Sequence, residues 1–241
     1  MPNPLINQRI FERTRTTALH SNQTMSLQGT INKTLFLLFI CVLGAMLAWK
    51  NSQMWSPYSL WILLVAFALA LISTLKPTLS PFLSPLYAFA EGIILGVFSA
   101  AYNAQFNGIV FNAIAATILS FFIMLLLYRT KIIKVTRRLM ATIFFATVSI
   151  AVLYLGSWIL SLLGINPTYL TSSSPLAIGI SIIICLVASF NFLVDFYFID
   201  QMTEGYAVPK YMEWYSALGL LFTLVWLYVE ILNLFSQWQR R

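Results

Sequence analysis

Seven long apolar runs separated by short polar breaks fill most of this 241-residue chain, and they leave it few folds. They lie at about 34–49, 58–74, 82–102, 109–128, 139–163, 175–199 and 216–238. A bilayer's hydrocarbon core, roughly 30 Å thick, is crossed by about 20 apolar residues in a helix. Only 9% of the residues are charged, against about 25% in a soluble domain, and the mean hydropathy is +0.84. That is too little polar surface for a water-exposed globule. Barrel strands would alternate apolar and polar positions over ~10 residues, and these runs do not. The expected fold is therefore all-α, a polytopic seven-helix transmembrane bundle.

Residues 1–28 are polar and basic, with Arg9, Arg13 and Arg15, and show no hydrophobic period. The first apolar run starts too late and runs too long for a secretory signal, so 1–28 is expected to be a disordered cytoplasmic tail that stays attached. Residues 29–241 are expected to form one membrane domain, because no insert is long enough to fold alone.

The net charge of +7 follows from where the cations fall. With the N-terminus inside, the inner side collects Arg9, Arg13, Arg15, Lys33, Lys76, Arg129, Lys131, Lys134, Arg137, Arg138 and Lys210. Lys50, Arg240 and Arg241 fall outside. Eleven against three fits the positive-inside rule without a nucleic-acid partner. The expectation is a multi-pass protein of the cell (plasma or inner) membrane with a cytoplasmic N-terminus and the lipid bilayer as its first partner. A seventh run that turned back inside the membrane would return Arg240 and Arg241 to the inner side.

Enzyme signatures are missing. The one histidine, His20, lies in the tail, so no helical histidine pair can hold a catalytic metal. There is no G-x-S-x-G elbow and no glycine-rich phosphate loop. Cys41 and Cys185 sit inside apolar runs without metal-ligand spacing and read as small apolar residues. No catalytic residue and no cofactor are expected, apart from a possible calcium ion.

The sharper signal is three acids inside apolar runs: Glu91, Asp195 and Glu230. A charge at a helix centre costs about 2.5–3.5 kcal/mol on insertion scales, so such residues face the bundle interior, find a partner or carry a proton. On the seventh run, Ser216, Gly219, Thr223, Trp226, Glu230, Asn233 and Gln237 recur at steps of three and four and form one stripe. On the sixth, Ser181, Ala188, Asn191 and Asp195 share a face. On the third, Ala88, Gly92, Gly96, Ser99 and Asn103 form a small-residue seam with Glu91 at its flank, the pattern of close helix packing. Asp195, Glu230 and Glu91 are the candidate ion- or proton-sensing residues, with Asn191, Thr223 and Asn233 as supporting polar groups.

These segments carry a family resemblance. Phe89-Ala90-Glu91-Gly92 with Leu95-Gly96 looks like the glutamate-glycine motif of Bax inhibitor-1-like (TMBIM) proteins. Asp195 in Val194-Asp195-Phe196-Tyr197-Phe198-Ile199 resembles that family's sixth-span aspartate, and the segment from Leu227 to Phe235 is similar to its seventh-span signature, with Glu230 where relatives often have Asp. The insert from Pro209 to Tyr215 suggests a bacterial branch. The resemblance implies a central seventh helix ringed by three helical hairpins, a proton-sharing pair made by the sixth- and seventh-span acids, and a pH-sensitive calcium leak. Relatives place an acid and an arginine on the second span, where this chain is apolar up to Lys76.

Two carboxylates in contact titrate as a unit and resist joint ionisation, and the unprotonated pair Asp195 and Glu230 would offer hard oxygens to calcium. Depth counting raises an objection, because it separates Asp195 and Glu230 by roughly 10 Å. The competing expectation is a non-conducting regulator that binds another membrane protein, such as a protease, through the aromatic segment 206–215 and the tail. A proton-coupled transporter would need an inverted repeat, and none is evident.

Overall fold

The computed structural model describes residues 24–164, 172–204 and 208–240. Seven helices long and apolar enough to cross a membrane make up the fold. They are α1 (Leu27–Lys50), α2 (Ser59–Leu75), α3 (Ser80–Gln105), α4 (Ile109–Arg129), α5 (Arg137–Leu162), α6 (Pro175–Glu204) and α7 (Met212–Gln239). Single helical turns at Ser52–Trp55, Ser56–Tyr58 and Pro77–Leu79 extend α2 and α3 at their starts. The fold is an all-α seven-helix bundle.

Local chemistry sets the helix ends. Ser26 caps α1 by accepting the Gly29 N–H, and Thr136 caps α5 by accepting that of Leu139. Gly108, with φ +79°, turns the chain from α3 into α4, a conformation that favours glycine. Gly164, also at φ +79°, closes α5 where the sequence places its end. The seventh span is one unbroken helix of 28 residues, about 42 Å long at 1.5 Å per residue, more than enough to cross a ~30 Å core.

The described residues locate the start of the first helix. The ordered chain begins before residue 29: α1 starts at Leu27, and Thr24 and Met25 pair with Pro209 and Val208. Residues 1–23 of the expected tail lie outside the described residues. By their internal contacts the described residues group into two compact units, one of 24–105 with Tyr197–Phe222, the other of Phe106–Phe196 with 223–240. Because α6 and α7 each contribute to both, the division falls inside two helices and follows no linker.

In the first unit, α1 and α3 pack backbone to backbone. A Cβ on Gly44 would stand 2.6 Å from the Phe89 carbonyl, and Cβ atoms on Gly92 and Gly96 would overlap the carbonyls of Cys41 and Ala45. The small-residue seam is thus a packing device. In the second unit, Phe121 of α4 packs edge-on against Phe192 and Phe196 of α6, with centroids 5.3 and 5.6 Å away. Ile150 of α5 and Ile184 of α6 form a second apolar centre there, with Trp226 of α7 against it. The sixth and seventh spans are equally and most deeply buried, and the fifth is buried least.

Candidate functional site

In the unit of Phe106–Phe196 and 223–240, the polar faces of α6 and α7 meet. Thr223 donates its hydroxyl to Asp195 Oδ2 at 2.6 Å, and Ser181 donates to Gln237 Oε1 at 3.1 Å. The two contacts are fourteen residues apart on each helix, in opposite directions, so α6 and α7 run antiparallel in constant register. Asp195 is fully buried. Glu230 lies seven residues beyond Thr223, and by that register it faces the fully buried Ala188.

Glu230 has its own partners. Tyr154 of α5 places its hydroxyl 2.8 Å from both carboxylate oxygens, and Trp226 donates its indole N–H to Oε1 at 2.9 Å. Both partners are neutral, and Glu230 is only 4% exposed. Trp226, the one bulky member of the α7 stripe, therefore belongs to it by chemistry. Its N–H reaches one helical turn forward to the acid.

Asn191 turns to α5, donating to Thr147 Oγ1 at 3.0 Å and to the Val187 carbonyl at 2.8 Å. Asn233 is half-buried, and its backbone carbonyl accepts from the Ser236 hydroxyl at 2.8 Å. Sequence reasoning missed Tyr154 and Thr147. A signal was there: Thr147, Ile150, Tyr154 and Ser157 recur at steps of three and four on the fifth run, a polar face broken by one isoleucine.

Glu91 belongs to the other unit. It is half-buried on α3, beside Cys41 of α1, with the Tyr87 hydroxyl within hydrogen-bond reach. Its neighbour Gly92 makes the close contact with α1, so the glutamate-glycine motif joins a polar group to a helix crossing.

The family model described as Bax inhibitor 1 like matches residues 3–240, nearly the whole chain. The chain belongs to the Bax inhibitor 1 like family. A search of the curated proteins finds no match. With seven membrane-crossing helices, this Bax inhibitor 1 like protein is an integral, multi-pass membrane protein.

Its two interior acids branch from different levels of the α6–α7 pair. Seven helical residues separate the Asp195 level from the Glu230 level, about 10 Å, the offset that depth counting gives. Among the described residues no group of three or more His, Cys, Asp or Glu side chains forms a metal site.

A fourth acid escaped sequence reasoning altogether. Glu213, in the first turn of α7, is 1% exposed and bonds the start of α1. Its Oε1 accepts from the Ser26 N–H and hydroxyl, both at 2.9 Å, and its Oε2 is paired with Lys33. The partners are 187 and 180 residues away, so no local pattern signals them.

Proposed function

We propose that this Bax inhibitor 1 like protein is a pH-sensitive leak for cations, with calcium as the candidate cargo, and that it works without an enzymatic step. The observation that carries the reading is the polar file through the 106–196 and 223–240 unit. Ser181 with Gln237, Glu230 with Tyr154 and Trp226, Asn191 with Thr147, and Asp195 with Thr223 occupy successive levels along α6. From Ser181 to Asp195 the file runs fourteen residues, about 21 Å, or some two-thirds of a ~30 Å core.

The two carboxylates act as separate stations within that file. Their backbone levels lie about 10 Å apart, and two ionised carboxylates at a separation of that order repel by roughly 1.7 kcal/mol in an effective dielectric of ~20. That is more than the 1.36 kcal/mol of one pH unit, so each senses the other's charge without contact. At Glu230 the Tyr154 hydroxyl donates to the carboxylate, its oxygen 2.8 Å from both carboxylate oxygens. An ionised Glu230 is a buried charge among neutral groups and a protonated one is not, so loss of the proton biases the bundle toward a second conformation. The charge count supports a cytoplasmic N-terminus, and the reading takes the cell membrane as the protein's location. Calcium flux through reconstituted liposomes across pH, with Asp195 and Glu230 neutralised in turn, tests the proposal.

A further inference from the structure

Around Glu213 the described residues build a site that the leak reading does not use. The carboxylate reaches from the first turn of α7 to the chain preceding α1. There Ser26 does two jobs, donating its N–H and hydroxyl to Glu213 and capping α1 through the Gly29 N–H at 3.0 Å. Lys33, one and a half turns into α1, pairs with the other oxygen and lies 5.4 Å over the Trp214 ring. Phe36, near Lys33 on α1, packs edge-on against Trp214 with centroids 5.9 Å apart. Gly29 leaves room for the same contact, because a Cβ there would overlap the Glu213 carboxylate and the side chain would have to shift.

The contact also positions the backbone outside the helices. The Met25 N–H donates to the Val208 carbonyl at 2.8 Å, and Thr24 bridges Pro209. Met25, Val208 and Met212 are all buried. The aromatic segment leading into α7, considered from sequence as a surface for a partner, is thus already occupied in part by residues 24–26 of this chain.

We propose that Ser26, Lys33 and Glu213 form a clasp that holds residues 24–26 as a strap over the segment leading into α7, and that opening it uncovers Val208. Several contacts converge on one carboxylate, so displacing that group releases Ser26 and Lys33 together. The inference stands independently of ion conduction, since its test reads exposure and not flux.

The test places a single reporter thiol by Val208→Cys, which leaves the Met25 to Val208 backbone bond intact. Its labelling by a membrane-impermeant thiol reagent is timed in detergent micelles, against the parent with Cys41 and Cys185 as background. Gly29→Ala is the cleanest opener, because it displaces the carboxylate while keeping both charges and improving helix propensity. Glu213→Gln is the second, removing the charge. The expected result is slow labelling in the closed protein and labelling faster by on the order of 100-fold in either variant, at unchanged helical circular dichroism. A chain lacking residues 1–26 should label as fast as the openers. Slow labelling in Gly29→Ala overturns the clasp, whether or not the truncated chain labels quickly. Acceleration accompanied by loss of helix content overturns it too, as general unfolding.

Discussion

Asp195 and Thr223 share a 2.6 Å hydrogen bond across α6 and α7, and that contact places Glu230 two turns further along α7, opposite Ala188. The two interior carboxylates therefore branch from two depths of the bundle, on two helices held in a common register.

Thr223 is accordingly a support for Asp195. Thr223→Val keeps the shape and removes the donor, leaving a fully buried carboxyl group short of one partner. The expected loss is about 1–3 kcal/mol of stability, read as a lower thermal midpoint in detergent, with Thr223→Ser close to the parent.

Tyr154 sets the behaviour of Glu230. Tyr154→Phe removes both 2.8 Å contacts and leaves Trp226 as the donor. One hydrogen bond of about 1–1.5 kcal/mol corresponds to roughly one pH unit. The pH of half-maximal flux should move by that order in Tyr154→Phe, by less in Trp226→Phe, and not in Thr130→Val, whose hydroxyl bonds its own helix outside the file.

Gly92 and Gly96 hold α1 against α3. Alanine at either position would push the helices apart, because the obstructing atoms are the backbone of Cys41 and Ala45. Overpacking of this kind costs about 1–3 kcal/mol. Gly156→Ala, where a Cβ meets nothing within 4 Å, should leave the unfolding midpoint unchanged or raise it.

Lys33 stabilises the start of α7. Lys33→Met strands the buried Glu213 charge, with an expected loss of roughly 2–3 kcal/mol, between a surface pair and the 3–5 kcal/mol of a fully buried one. Thermal unfolding in low and high salt separates the cases, since a pair this enclosed should be nearly insensitive to salt.

The fold was legible because apolar length is a local property. All seven spans, the Gly164 stop and the stripe from Thr223 to Gln237 follow from residue types at helical spacing. The offset between Asp195 and Glu230 was legible too, because helix rise converts residue number into depth. What sequence did not yield depends on partners far apart in the chain. Glu213 resembles an ordinary first-turn acid until Ser26 and Lys33 are brought to it. Tyr154 was recoverable, since its face repeats with Thr147 and Ser157, but a tyrosine in an apolar run draws less notice than an acid. The early start of α1 was hidden because Thr24 and Met25 are ordered by Pro209 and Val208 and have no helical pattern of their own.

The most direct measurement of the central claim is calcium flux into liposomes carrying the purified protein, recorded across pH for the parent, Asp195→Asn and Glu230→Gln. The account predicts a pH-dependent flux in the parent and a flattened profile in each variant, because each removes one of two stations that sense one another. Flux and pH profile unchanged in both variants would contradict it.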